Sequence, residues 1–285
     1  MHSAEHTRSI RKYMEYNMKD NKDNKELEEV AAVDATAGLA QKGAFAPQTV
    51  QSVRRSRAGL AIYAVFKRLF DFILSLLASI ILLIPMIIIG FIVVCKDGGS
   101  PFYKQERLGK RKKNSTEYNV IDVYKFRSMK KNADDLESML TPAQLEEYNR
   151  EYKLRDDPRL IGYKKPGDGE SGRCFGAKIR RTSLDELPQI LFNICIMGNM
   201  SLVGPRPILK QELEDNYTEE QRALLLSVKP GLTGYWQAYA RNNATYEYGE
   251  RQKMELYYVA HRSLWLDIKI MFRTVLAVIK RDGAE

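Results

Sequence analysis

From Phe72 to Cys95 the chain reads FILSLLASIILLIPMIIIGFIVVC, 24 consecutive residues without a charge. About 20 apolar residues cross the hydrocarbon core of a bilayer, so the run is long enough for a membrane helix. A soluble core helix of that length would normally carry a polar face, and this one has none. The run begins at residue 72 and ends without a small-residue cleavage pattern, so it is not a signal peptide. Pro85 stands in its middle, where it removes a backbone hydrogen bond and crowds the preceding turn, so a break or bend is expected there.

Further helices announce themselves by their caps. Thr141-Pro142-Ala143-Gln144 joins a cap residue to a proline at the first helical position and a glutamine at the third, predicting a helix through LEEYNREY. Thr218-Glu219-Glu220-Gln221 repeats the signal before RALLLSV. Near the C-terminus Leu264, Trp265, Ile268, Met271, Phe272, Val275, Leu276 and Ile279 recur at helical spacing, with Asp267, Arg273 and Lys280 on the other side. That amphipathic helix suits a membrane interface or a protein core equally. Residues 1–58 are polar and then rich in Ala, Gly, Gln, Thr and Ser, which reads as a tail or linker with at most a short helix near Lys25 to Ala32. With a tail of that size, no large added regulatory domain is expected.

Charge sharpens the topology. The chain of 285 residues carries 45 Lys and Arg against 36 Asp and Glu, for a net charge of +9, and is 44% hydrophobic. A disordered chain, a collagen and a disulfide miniprotein are excluded. Cys95, Cys174 and Cys195 show no CxxC spacing and lie far in sequence from the three histidines, which argues against zinc and a disulfide framework. The positive charge brackets the apolar run: Arg54, Arg55, Arg57, Lys67 and Arg68 precede it, and Lys96, Lys104, Arg107, Lys110, Arg111, Lys112 and Lys113 follow. Since basic loops mark the cytoplasmic side, symmetric flanks fit a re-entrant hairpin with both ends cytoplasmic. A single span kinked at Pro85 is the alternative.

Candidate chemistry lies between Gly98 and Arg241. In RRTSLDELPQILFN, Ser183 and Glu186 stand at capping-box spacing, so one reading is a helix start with Asp185 complementing the dipole. The other reading uses free amides, Arg180 and Arg181 to hold a phosphate before the Asp185 carboxylate. In GNMSLVGPRP, Arg206 sits between two prolines and is displayed from a stiff turn. KPGLTGYWQAYARN carries Lys229, Trp236 and Arg241, either as a turn packed by tryptophan or as a base or sugar pocket. YKFRSM places Lys125 and Arg127 on one side of a strand, with Phe126 and Met129 available for the core.

Taken in order, KRLFD (67–71), SPFYKQERLG (100–109), YKFRSM (124–129), DDPRL (156–160), RRTSLDELPQILFN (180–193), GNMSLVGPRP (198–207) and KPGLTGYWQ (229–237) closely resemble the bacterial sugar transferase family. These are the monotopic phosphoglycosyl transferases, and the resemblance runs from about residue 61 to 285. It implies an α+β, mainly helical protein: a small cytoplasmic catalytic domain (98–285) on a re-entrant membrane helix (59–97) broken near Pro85, with amphipathic interfacial helices. It implies transfer of a sugar 1-phosphate from a UDP-sugar to undecaprenyl phosphate, releasing UMP. Asp185 matches the family's nucleophile, which holds the phosphosugar covalently, and two displacements imply ping-pong kinetics. Asp185 and Glu186 are the expected Mg²⁺ ligands. Lys125, Arg127, Arg180, Arg206 and Arg241 are the expected phosphate or nucleotide contacts.

The expected setting is the cytoplasmic face of a bacterial cell membrane, with membrane lipids and downstream glycosyltransferases as partners and no nucleic acid. A capsule or exopolysaccharide pathway using UDP-galactose or UDP-glucose is the leaning, with acetamido sugars open. One departure stands out: many relatives carry Asp ahead of the Tyr-Val near the C-terminus, where this chain has Glu255 in ELYYVAHRSLWLD, and the changed reach leaves its role in doubt. Two competing readings are a non-catalytic membrane-surface protein that binds anionic lipid or nucleic acid through its basic patches, and a glycosyltransferase that moves the sugar alone and releases UDP. Oligomeric state is not readable from the chain.

Overall fold

The computed structural model describes residues 57–112, 117–151, 154, 156–164, 174–240 and 249–280. Of the expected tail, residues 1–56, with the short helix near Lys25 to Ala32, lie outside the described residues, and 57 and 58 begin the first helix. That helix, α1, runs from Arg57 to Asp97 with Pro85 inside it. The helix is continuous through Pro85, since a proline deletes a single backbone donor and the turns on both sides keep their helical bonds. Most of the apolar surface of α1 is uncovered, with Ile81 75% exposed, so it is not the core helix of a soluble protein.

After α1 come two antiparallel strands, β1 (Phe102–Leu108) and β2 (Val120–Phe126), with Tyr103 opposite Lys125. Helices α2 (Leu136–Met139), α3 (Pro142–Glu151) and α4 (Phe175–Arg181) follow. A mixed helix comes next, passing from a 3-10 turn (Leu184–Glu186) through an α turn (Leu187–Gln189) into a π-helix (Ile190–Ile196). Then come β3 (Ser201–Val203), α5 (Lys210–Asn216), α6 (Glu219–Leu225), β4 (Gly231–Thr233), α7 (Tyr235–Tyr239), α8 (Glu250–His261) and α9 (Leu264–Lys280), with β3 and β4 paired in parallel. Two of the three capping boxes read from the sequence form: Thr141 and Gln144 exchange hydrogen bonds at the start of α3, as do Thr218 and Gln221 at the start of α6.

The motif KRLFD works as a set of clips. Lys67 Nζ lies 3.0 Å from Asp267 on α9, Arg68 Nη1 donates to the Ile194 carbonyl at 2.8 Å, and Asp71 accepts the Leu202 N–H at 3.2 Å. At the other end of α1, Met86, Ile89 and Val93 join Phe126, Ile161 and Ile179 in one apolar cluster. The larger cluster gathers Val203, Leu213, Leu225, Leu256, Tyr258 and Ile270 from the C-terminal half.

The C-terminal helix forms where its spacing placed it, and the structure chooses between its two faces. Trp265, Ile268, Phe272 and Val275 are exposed, Phe272 at 65%, whereas Ile270 is buried. Asp267, expected on a polar outer face with Arg273 and Lys280, is instead fully buried. Burial is tolerated because Lys67 pairs with it and the Tyr258 hydroxyl stands 2.7 Å from its Oδ1.

Candidate active site

Helix α4 delivers the arginines and the mixed helix delivers the carboxylates. Gly176, in the first turn of α4, allows the approach: a Cβ there would stand 2.2 Å from the Ser128 carbonyl oxygen and 2.9 Å from the Ile161 nitrogen. Arg180 and Arg181 fall in the last turn of α4. The chain then turns at Ser183, whose φ of 55° makes it the single non-glycine residue with positive φ among the described residues. That conformation costs about 1–2 kcal/mol for a residue with a side chain.

The capping box expected between Ser183 and Glu186 is therefore not made. Ser183 forms no side-chain cap hydrogen bond; the turn closes instead through the backbone, Glu186 N–H to the Ser183 carbonyl at 3.2 Å. The Glu186 carboxylate turns to β2, where Lys125 Nζ reaches its Oε1 at 2.7 Å. Asp185 is only 8% exposed, and burial raises its carboxyl to about 6, opposed by the charges of Lys125 and Arg180 and reinforced by that of Glu186. Asp185, Glu186, Lys125 and Arg180 thus share one electrostatic neighbourhood.

Arg127 has a different place. Its guanidinium bonds the Asp97 carboxylate and the Gly98 carbonyl, with Nε 3.0 Å from the Ser100 carbonyl, so it ties the end of α1 to β2. Arg241 lies outside the described residues. Among the described residues no group of three or more His, Cys, Asp and Glu side chains converges as a metal cage. The adjacent Asp185 and Glu186 supply oxygen donors only, which fits an ion such as Mg²⁺ that completes its shell with water and substrate phosphate.

A second constellation surrounds Arg206. The parallel pair of β3 and β4 brings the Pro-Arg-Pro turn against KPGLTG, with Gly204 N–H on the Thr233 carbonyl at 2.9 Å and Gly231 N–H on the Pro205 carbonyl at 2.8 Å. Prolines have no N–H, so Arg206 supplies the single backbone donor of Pro205-Arg206-Pro207. Both oxygens of Glu255 on α8 face that N–H, at 3.1 and 3.3 Å. Glu255 is 4% exposed, and burial raises it to about 7 against the opposing pull of the Arg206 N–H and the charges of Arg251 and Arg206. Trp236 carries the Arg251 guanidinium 4.3 Å from its ring centre, which favours a packed turn over an open stacking pocket. The sequence left the role of Glu255 in doubt, because its partner, the Arg206 N–H, lies 49 positions away.

The family model described as bacterial sugar transferase matches residues 62–281. The UDP-galactose-lipid carrier transferase of Erwinia amylovora is 40% identical over 221 residues, covering 76% of this chain and 41% of that protein. The undecaprenyl-phosphate galactose phosphotransferase of Salmonella typhimurium is 39% identical over the same length, with the same coverage. The exopolysaccharide production protein ExoY of Sinorhizobium fredii is 35% identical over 243 residues, covering 84% of this chain and 94% of its own length. The chain thus spans about two fifths of the first two relatives, at 41% of each, and nearly all of the third. With the family model matching from α1 to α9, the chain belongs to the bacterial sugar transferase family.

Proposed function

We propose that this protein transfers a sugar 1-phosphate from a UDP-sugar to undecaprenyl phosphate and releases UMP, as a membrane step of exopolysaccharide, capsule or glycoconjugate synthesis. The observation that carries the reading is the buried Asp185 carboxylate, held beside the Glu186–Lys125 pair and under the charge of Arg180. The names of the galactose phosphotransferase and the carrier transferase support the donor and acceptor classes.

In the first displacement a carboxylate oxygen of Asp185 attacks the sugar-bearing phosphorus, and the bond from that phosphorus to the oxygen shared with UMP breaks. UMP leaves with the bonding electrons, and the phosphosugar stays on Asp185. In the second, an oxygen of undecaprenyl phosphate attacks the same phosphorus and displaces the carboxylate, giving the lipid diphosphate sugar. Burial favours this chemistry by stripping water from the attacking oxygen, while Lys125 and Arg180 keep the carboxyl from rising further. Asp185 and Glu186 would hold Mg²⁺, which when bound neutralises charge on the phosphoryl oxygens. Arg206 is the nucleotide contact displayed from its clamped turn.

The helix α1 is proposed to enter the cytoplasmic leaflet without crossing. Its buried positions Asp71, Ser75, Ser79, Met86, Ile89 and Val93 run the length of the apolar stretch, so the polar body lies alongside it. A crossing helix would drag that body into hydrocarbon. The exposed apolar face of α9 supports a shared interfacial seat. The test is nucleotide release from a panel of UDP-sugars with undecaprenyl phosphate and Mg²⁺, for wild type and Asp185→Asn. Sugar-dependent UMP release that disappears in the variant is expected; UDP release, or full activity in Asp185→Asn, overturns the reading.

A further inference from the structure

The π-helix buries one polar side chain completely: Asn193, 0% exposed. Its carboxamide is aimed at the edge of β2 that β1 does not use. Oδ1 accepts the Tyr124 N–H at 2.9 Å, Nδ2 donates to the Asp122 carbonyl at 2.6 Å, and the same nitrogen lies 3.1 Å from Asn199 Oδ1. These contacts stand in for a neighbouring strand: one side chain satisfies a backbone donor and a backbone acceptor two residues apart, as a β-ladder would. Only an amide offers donor and acceptor together in that geometry; a carboxylate would set a negative oxygen against the Asp122 carbonyl.

The residue after Tyr124 is Lys125, which reaches Glu186 at 2.7 Å. Glu186 and Asn193 belong to the same unbroken mixed helix, so strand and helix are joined twice, once by the amide and once by the ion pair. The Lys125–Glu186 pair is about a third exposed on each side, at 28% and 33%, and an exposed pair alone is too weak to set the position of a strand. The buried amide is the stronger of the two ties, since without it the Tyr124 N–H and the Asp122 carbonyl would be left desolvated and unpaired in the interior.

We propose that Asn193 is a positioning residue of the transfer site: by taking the place of a third strand along β2, it fixes the reach of Lys125 to Glu186 beside Asp185. The proposal rests on the transferase reading for its catalytic consequence, but its geometric core can be read without activity. In detergent-solubilised full-length protein, acetylation of Lys125 by acetic anhydride is followed by peptide mass spectrometry, with Lys210 as internal reference. Asn193→Ala is used, or Asn193→Ser where the alanine variant does not melt cooperatively.

The expected result is a rise of about two- to fivefold in Lys125 labelling, the equivalent of losing a partly screened ion pair. Glu186→Gln should give the same rise, and adding the Asn193 change to it should give none further. Asn199→Ala, which leaves both bonds to β2, should leave Lys125 labelling at the wild-type value. In UMP release, the Asn193 variant should lose about tenfold in kcat in the wild-type background and under about twofold in a Lys125→Ala background, as expected of coupled residues. Unchanged Lys125 labelling in a folded Asn193 variant, or additive losses in the cycle, overturns the proposal. If wild type releases no UMP with any donor, the transferase reading fails, and the labelling alone decides the role of Asn193.

Discussion

Glu255 holds Arg206 by its backbone rather than by its side chain. Both carboxylate oxygens face the one N–H of the Pro205-Arg206-Pro207 turn, from a position buried in α8. The turn that carries the guanidinium is thereby fixed, and in the proposed function that guanidinium contacts the nucleotide.

For Glu255 this gives a graded expectation. Glu255→Ala strands the Arg206 N–H, at a cost of about 1–3 kcal/mol, and should raise KM for the UDP-sugar about tenfold or more. Glu255→Gln keeps an acceptor oxygen and should stay within about threefold of wild type. Because burial raises the Glu255 carboxyl to about 7, KM of wild type should climb as pH falls below that value by no more than about threefold, the limit set by Glu255→Gln, and the climb should vanish in that variant. Steady-state kinetics between pH 5 and 9 reads both.

A second titration belongs to Asp185. The proposed attack requires the carboxylate, so kcat should fall as pH drops through about 6. Lys125 opposes the rise, so Lys125→Met should move that acid limb to higher pH as well as lowering kcat at its plateau by about a hundredfold. A limb that stays in place in Lys125→Met would show that Lys125 does not act on Asp185.

The same burial makes Asp185 a cost to the fold. With the folded carboxyl at about 6 and the ordinary value at 3.8, the native state prefers the protonated form. Its stabilising effect is complete below the unfolded value and is lost as pH rises through the folded one, leaving an ionised group that burdens the fold by up to about 3 kcal/mol. Asp185→Asn should therefore melt higher than wild type at pH 8 and no higher at pH 4. Differential scanning fluorimetry in detergent measures the difference.

The clip between Lys67 and Asp267 yields a cycle of its own. Lys67→Met leaves a buried carboxylate with tyrosine hydroxyls alone, and should cost about 3–5 kcal/mol. Adding Asp267→Leu should restore much of that loss, since an apolar pair can replace a buried ion pair. Chemical denaturation of the single and double variants checks it.

Gly176→Ala tests the seat of α4. Its new Cβ would meet two backbone atoms, the Ser128 oxygen and the Ile161 nitrogen, neither of which can swing aside. A loss of about 2–4 kcal/mol is expected, with activity falling as Arg180 shifts. A near-wild-type melting temperature would mean that α4 moves freely.

The helices at Thr141 and Thr218 were legible because a cap is a bond between residues three apart. The same spacing misled at Ser183 and Glu186, where a positive φ and a lysine from a distant strand took both partners out of the box. Asp185 and Glu186 were legible as candidates from neighbouring residues, and the approach of Lys125 to them across 61 positions was not. Arg127 shared a strand face with Lys125 in sequence, yet Asp97 at the end of α1 engaged it first.

Local chemistry alone made some features legible along the chain: an apolar run long enough to enter a membrane, helix starts written in caps, a turn stiffened by two prolines, and seven ordered motifs of one family. The folded chain was needed to settle which face of α9 is buried, which cation meets which carboxylate, and that one asparagine in the π-helix bonds β2 along its open edge. The physical reason is range. Caps, turns and hydrophobic periodicity act between residues a few positions apart, whereas burial and charge pairing depend on which distant segments exclude water together.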